Sequence, residues 1–359
     1  MVIVSHLVEL PESAGKAGAG GIDFDAKPRV FVSTSSFGKV DPKPLRLLTE
    51  SGVAVRTNPF GRTLTEDEAA EFLKDVDGVI AGTEPLTRRV LAGATRLKAI
   101  SRCGTGVDNV DLDAAAELGI AVRATQASHV AAVAELTVGA MIALLRQIPQ
   151  NDRAVRRGVW EKRLGGLLQG RTVGVVGLGK VGKAVVRLLR PFDVKVLAYD
   201  TVPDWEFAAD HGVRYTELDE LLQAAEIVTL HLPYRPELRH LLDRGRLFAM
   251  RPGAYLINTS RGGLVDEEAL CEALHGGRLA GAFIDTFENE PYRGPLLEAP
   301  GAILSPHAGA YARESRLSME IEAVQNLLEL LRPAGLALSS ASAIAGEVAI
   351  SDSTEVINR

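Results

Sequence analysis

The most constraining stretch of this chain is RTVGVVGLGKVG, Arg171 to Gly182, with Asp200 beyond it. An apolar run leads into Gly177-x-Gly179-x-x-Gly182, and Lys183 to Arg190 then reads as an amphipathic helix. Strand, glycine turn and helix in that order form the opening unit of a dinucleotide-binding fold. Each glycine meets a different demand. Gly177 permits the tight turn, Gly179 lets backbone amides approach a pyrophosphate, and Gly182 packs the helix close to the strand. The helix N-terminus adds unpaired N–H groups and a favourable dipole. Glycine-rich turns are common, so the pattern gains its weight from context. A second strand, Val194 to Tyr199, ends in Asp200, near the spacing at which an acid accepts both adenosine ribose hydroxyls and repels a 2′-phosphate. Thr201 and Val202 follow without an arginine, which favours NAD over NADP.

A length of 359 residues predicts two domains, and 46% hydrophobic residues suffice for their cores. A net charge of −6 argues against a nucleic-acid surface, which needs an excess of Lys and Arg. Cys103 and Cys271 are too few for a disulfide framework and fit a reducing compartment. MVIVSHLVEL has no basic leader and meets Glu9 early, so it reads as neither signal peptide nor membrane span. A cytoplasmic protein with no membrane partner is the expectation.

Residues 1–26 end in AGKAGAGG and read as a flexible extension. From Arg29 onward strands and helices alternate: RVFVSTS, VAVRT, DGVIAG, LKAISRCG and IAVRAT as strands, with helices between them. Such repetition implies a parallel sheet covered on both faces, with ligands at the carboxyl ends of its strands. Ala131 to Ile148 is a long apolar helix that Pro149 is expected to break. The next segment, NDRAVRRGVWEKRLGGLLQG, carries Trp160 and two leucines and reads either as a subunit interface or as a surface connection. Beyond the glycine turn, IVTLHLP, AYLINTS, LAGAFID and AILSPH are further strands of a second doubly wound domain. Helix Arg313 to Leu331 has to return to the first domain or cap the second, and the Ala- and Ser-rich remainder reads as a tail.

Three stretches late in the chain place a polar residue at or just past a buried strand. They are NTSRGGLVDEEAL with Arg261, AFIDTFENEP with Asp285 and Glu290, and AILSPHAGA with His307. A planar cation, a carboxylate and an imidazole are what hydride transfer at a carbon bearing oxygen beside a carboxylate requires. The imidazole handles the hydroxyl proton, the guanidinium holds carboxylate and carbonyl oxygen, and the acid fixes the imidazole tautomer and raises its pKa. Each has a plainer alternative: a structural histidine, an Arg261–Asp266 pair, a solvated Glu290. It is their coincidence downstream of a nucleotide turn that points to a site.

The motifs SRCGTGVDNVDL, AVAELTVGAMIALLRQIPQ, GVWE, VGLGKVG, HLP, NTSRGGLVDEEAL, GAFIDTFENEP and SPHAGA, in this order from about Val30 to Leu331, resemble the D-isomer-specific 2-hydroxyacid dehydrogenase family. Within it the chain is most similar to the 3-phosphoglycerate dehydrogenases, in a short form without a regulatory domain. The resemblance implies catalytic roles for Arg261, Glu290 and His307. It places Thr105, Gly177, Gly179, Lys180, Val181, Gly182, Asp200, Leu232, Pro233, Thr259, Ser260, Arg261, Asp285, His307 and Gly309 along NAD. Substrate is expected at Arg102, Gly104, Thr105, Gly106, Val107 and Arg261, with no metal. The implied fold is a flavodoxin-like substrate domain (27–127 plus 308–335) and a Rossmann NAD-binding domain (128–307), facing each other across a cleft, with a tail at 336–359. A homodimer through the NAD-binding domain is implied as well.

Three departures fall on the substrate side: Gly82 where the phosphoglycerate enzymes typically place an arginine, His129 for the usual Asn, and Ala310–Tyr311 after the histidine motif. The expected activity is therefore NAD-dependent hydride transfer at C2 of a small anionic D-2-hydroxy or 2-oxo acid, with 3-phosphoglycerate as the single best guess. A phosphonate-bearing acid is the substrate alternative, and an NAD-sensing corepressor is the alternative of a different class.

Overall fold

The computed structural model describes residues 27–126 and 129–332. The expected extension at 1–26, the tail at 336–359 and the domain junction at 127–128 lie outside the described residues.

Two parallel sheets organise the chain. The first contains β1 (Arg29–Val32), β2 (Ala54–Thr57), β3 (Gly78–Ala81), β4 (Ala99–Arg102) and β5 (Ala121–Ala124), in the order β2-β1-β3-β4-β5. The second contains β6 (Thr172–Val176), β7 (Lys195–Tyr199), β8 (Val213–Tyr215), β9 (Ile227–Leu230), β10 (Ala254–Asn258), β11 (Leu279–Ile284) and β12 (Ala302–Leu304). Its order is β12-β11-β10-β9-β6-β7-β8. These are the flavodoxin-like and Rossmann-type orders, so both expected doubly wound folds are present.

Continuous apolar runs form the central strands because helices cover both sheet faces. In β3 and β9 every residue is buried. Alternate residues then supply opposite cores. In the first sheet Phe31, Val79, Ala81 and Ile100 join one cluster, while Val30, Val32, Ile80 and Ala99 join another. In the second, Val228, Leu230, Leu256 and Ile284 face one way and Ile227, Ile257 and Phe283 the other.

Helix Arg313–Leu330 returns to the first sheet, the first of the two alternatives. Met319, Ala323, Val324 and Leu327 complete the cluster beneath β1, β3 and β4, and Ser101 Oγ donates to Ala323 O at 2.7 Å. The apolar helix spans Val130–Leu145 and ends before the expected break. Gln147 adopts a left-handed conformation (φ 51°), and a second helix, Ile148–Arg156, starts at a 59° bend. Pro149 therefore sits in the first turn of the new helix, where its missing N–H costs nothing, and does not interrupt the old one. Among the described residues no single helix is long and apolar enough to cross a membrane.

Candidate active site

The glycine turn is built as its residues require. Gly177 has φ +95°, and a Cβ there would stand 2.6 Å from His231 O. A Cβ on Gly182 would stand 2.2 Å from Gly177 O, which explains the close strand–helix approach. The helix begins earlier than expected, at Lys180, with Gly179 as its cap. Lys183 N–H makes the first intrahelical bond, to Gly179 O at 2.9 Å, so the amides of Lys180, Val181 and Gly182 precede the helical ladder. Open space lies where a Gly179 side chain would be. Three uncommitted amides, an open approach and a helix dipole fit a pyrophosphate.

Asp200 sits at the end of β7. It accepts Leu178 N–H at 2.7 Å and Val202 N–H at 2.9 Å, which orients both oxygens and leaves lone pairs for ribose hydroxyls. Leu232 lies against the turn, its Cδ2 2.8 Å from where a Gly177 Cβ would be, and Pro233 beside it is exposed. The structure thus brings Gly177, Gly179, Lys180, Val181, Gly182, Asp200, Leu232 and Pro233 to one end of the second sheet, at the reversal between β6 and β9. That is the crevice where such sheets bind ligands.

Further along the same edge, β10 ends in Asn258. Its side chain is fully buried, accepts from Ser260 N and Oγ at 3.1 and 3.0 Å, and donates to Arg261 O at 2.8 Å. Asn258 therefore shapes the 258–261 loop, a role its motif did not single out. Thr259 Oγ1 lies 3.0 Å from Thr137 Oγ1, tying this loop to helix Val130–Leu145.

Arg261 reaches across to the first sheet. Its Nε donates to Asp108 Oδ2 at 2.9 Å and its Nη1 to Ser260 O at 2.7 Å. Asp266, the partner considered from sequence, instead caps helix Glu267–His275 by accepting Ala269 N–H at 3.0 Å. The loop after β4 receives the guanidinium because Gly106 has no side chain: a Cβ there would be 2.0 Å from Arg261 Nη2. Gly104, at φ +146°, lies over the Arg102 guanidinium. Among the described residues the amides of Thr105, Gly106 and Val107 donate no hydrogen bond, so this loop presents N–H groups beside a cation.

His307 follows β12 with φ +53°, a left-handed conformation uncommon outside glycine, and its loop is tied down. Asp285, wholly buried at the end of β11, is the holder. Its carboxylate accepts Ser305 Oγ at 2.5 Å and the amides of Ala308 and Gly309 at 2.8 Å each, while its carbonyl accepts His307 N–H at 2.8 Å. Glu290 completes the pair: Nδ1 of His307 lies 2.9 Å from Oε2 and 3.1 Å from Oε1. Partial burial pushes the Glu290 carboxyl upward. The hydrogen bond and charge of His307, the Phe287 N–H and the Arg261 charge outweigh that push and hold it below the ordinary glutamate range. An imidazole bound through Nδ1 to a carboxylate directs Nε2 outward as a proton donor or acceptor.

His129, at the start of helix Val130–Leu145, has a buried Nδ1 without a partner among the described residues. Burial, with Arg261 and Lys180 nearby, lowers its pKa. Tyr311 is exposed, and its hydroxyl donates to Ser36 Oγ at 2.8 Å.

Residues 138–309 match the family described as D-isomer specific 2-hydroxyacid dehydrogenase, NAD binding domain. A curated relative, the D-3-phosphoglycerate dehydrogenase of Methanocaldococcus jannaschii, is 40% identical over 80% of this chain and 55% of its own length. The chain thus spans about half the length of that relative. The glyoxylate reductase of Thermofilum pendens is 36% identical over 86% of this chain and 92% of its own length. A solved Thermus thermophilus structure superposes with a TM-score of 0.78 at 38% identity, covering 84% of this chain and 96% of that one.

Proposed function

This chain belongs to the D-isomer-specific 2-hydroxyacid dehydrogenase family, and from that premise we propose that it transfers a hydride between NAD and C2 of a small anionic 2-hydroxy or 2-oxo acid. The observation that carries the reading is the His307–Glu290 pair at 2.9 Å in the same crevice as Arg261 and the glycine turn. NAD, when bound, accepts or supplies the hydride. The residues do the rest. The amides of Lys180, Val181 and Gly182 hold the pyrophosphate, and Asp200 takes the ribose hydroxyls. Arg261, moving from Asp108, forks onto the substrate carboxylate and C2 oxygen, with the Thr105–Val107 amides on the other carboxylate oxygen. Nε2 of His307 takes the hydroxyl proton in oxidation and returns it in reduction, and Glu290 stabilises the imidazolium in between. Asp285 acts at one remove, by fixing the histidine loop.

One relative is named for phosphoglycerate and another for glyoxylate, so the choice of substrate rests on the far wall of the cleft. Self-association through the nucleotide half is part of the proposal. Trp160, Leu164 and Leu167 are 85%, 96% and 67% exposed in one short arm, an apolar surface that a second copy would cover.

The test is NADH oxidation by the purified protein across a panel of 2-oxo acids, with His307→Ala as control. Turnover should fall by about 10²-fold or more while NADH binding persists. Full turnover in that variant would end the assignment of His307. Binding of NADH without oxidation across the whole panel would replace the enzyme reading with a binding role.

A further inference from the structure

Glu290 takes its place from the backbone three residues before it. Phe287 N–H donates to its Oε1 at 3.1 Å, the same oxygen that lies 3.1 Å from His307 Nδ1. Where the Phe287–Glu288 segment lies therefore decides where the carboxylate lies. The next amide along is held from outside the loop: Glu288 N–H donates to Glu267 Oε1 at 2.8 Å. Glu267 opens helix Glu267–His275, which Asp266 caps and which is buried through Ala269, Leu270, Ala273 and Leu274. Two successive amides thus go to two carboxylates, one in the proton-transfer pair and one anchored in a packed helix.

The segment has close neighbours on its other sides. A Cβ on Gly262 would stand 1.9 Å from Phe287 C and 2.2 Å from Glu288 N, so the Arg261 loop passes in contact with it. The Phe287 ring stacks on Tyr292 with centroids 4.2 Å apart. The partly exposed Glu288 carboxylate accepts Arg239 Nε at 2.9 Å, and His240 Nε2 lies 3.5 Å from its other oxygen. Ion pairs so open to solvent contribute little, which leaves the Glu267 bond as the firmer tie. Partial burial pushes the Glu267 carboxyl up, and the charges of Glu288 and Glu268 add to that push. The Glu288 N–H and His240 oppose it without cancelling it. Protonation would not loosen the tie, because a neutral carboxyl still accepts through its carbonyl oxygen. Reach matters here more than charge.

We propose that Glu267 is a positioning residue for the proton-transfer pair: through the Glu288 amide it fixes the Phe287–Glu288 backbone, and through the Phe287 amide that backbone sets the Glu290 carboxylate against His307. The inference rests on the hydride-transfer reading above and extends it to a side chain that acts only through another. Misplacing a reacting group by about 1 Å costs on the order of 10²-fold, and a residue acting at one remove should cost about tenfold. Arg261 keeps supports of its own, Asn258 Nδ2 on its carbonyl oxygen and Asp108 on its Nε, so substrate binding is spared.

Two substitutions separate reach from charge. Glu267→Asp keeps a carboxylate at the helix N-terminus but falls a methylene short of the Glu288 amide. Glu267→Gln keeps the reach and an acceptor oxygen and gives up the charge. With NADH and a 2-oxo acid that the wild type reduces, Glu267→Asp should lower kcat about tenfold, while KM for the acid and NADH affinity stay within about twofold. The acid limb of its kcat profile should move to higher pH, because Glu290 loses the Phe287 N–H that helps hold its carboxyl down. Glu267→Gln should match the wild type in both respects. A slow Glu267→Asp with an unmoved acid limb would show a merely structural role and overturn the proposal. So would full turnover in Glu267→Asp, or a Glu267→Gln as impaired as Glu267→Asp. Failure of the wild type to oxidise NADH with any acid would instead sink the dehydrogenase reading, and this inference with it.

Discussion

Asp285→Asn isolates what positions His307 from what reacts. The wild-type carboxylate is wholly buried and receives two donors on Oδ1, Ser305 Oγ at 2.5 Å and Ala308 N at 2.8 Å, and one on Oδ2, Gly309 N at 2.8 Å. An amide of the same shape keeps one acceptor oxygen and turns the other into a donor facing the Gly309 N–H. A buried N–H without an acceptor costs about 1–3 kcal/mol, and loss of charge assistance in the two remaining bonds adds roughly 1 kcal/mol. The total, about 2–4 kcal/mol, corresponds to a Tm drop of roughly 4–16 °C for a unit of this size. Turnover should fall too. The left-handed backbone of His307 relaxes once its loop is released, and misplacement by about 1 Å costs on the order of 10²-fold. Thermal melts, NADH titration and steady-state kinetics at saturating NADH check this together. An unchanged Tm and kcat with weakened NADH binding would make Asp285 a cofactor contact and refute the clamp.

Two further outcomes follow from the same geometry. The Glu290 carboxyl lies below its ordinary value of 4.5 in the folded protein, so its pairing stabilises the fold above that value and is lost as pH falls through the depressed one. Glu290→Gln should therefore flatten this part of the acid melting profile and reduce kcat by about tenfold or more; identical acid limbs in the two proteins would remove the coupling. At the arm, Trp160→Asp combined with Leu164→Asp should convert a dimer to a monomer in light scattering, and an unaltered mass would place any self-association elsewhere.

How much of this was legible in the chain depended on how local the cause was. The glycine turn, the buried strands and the positions of Arg261, Glu290 and His307 at strand ends follow from short-range pattern, since fully buried strands need unbroken apolar runs and a tight turn needs glycine. Asp108 as the partner of Arg261 was not legible, because the two are brought together by the approach of separate sheets, whereas Asp266 stood nearby in sequence. Helix Ile148–Arg156 is not legible in the sequence because Pro149 reads there as the break of the preceding helix, although proline also suits a first turn. Glu84 looks like an ordinary loop acid two residues after a glycine. Only the burial imposed by Ser33, Gly82 and Asn109 sets it apart.

Helix Arg313–Leu330 has a consequence for the order in which the molecule can be assembled. Leu327 packs against Gly78, the Ser101 hydroxyl bonds Ala323, and Gly38 N–H donates to Glu320 at 2.9 Å. The half of the protein that leaves the ribosome first therefore has one face of its sheet only partly covered, by helix Lys43–Glu50, until the second half has been synthesised. Loop closure over that distance is slow relative to local helix formation, so the remainder of that apolar face stays open during elongation. The nucleotide half, contiguous in sequence, has no such wait. It can fold before the half that precedes it and then serve as the frame on which that earlier half is closed.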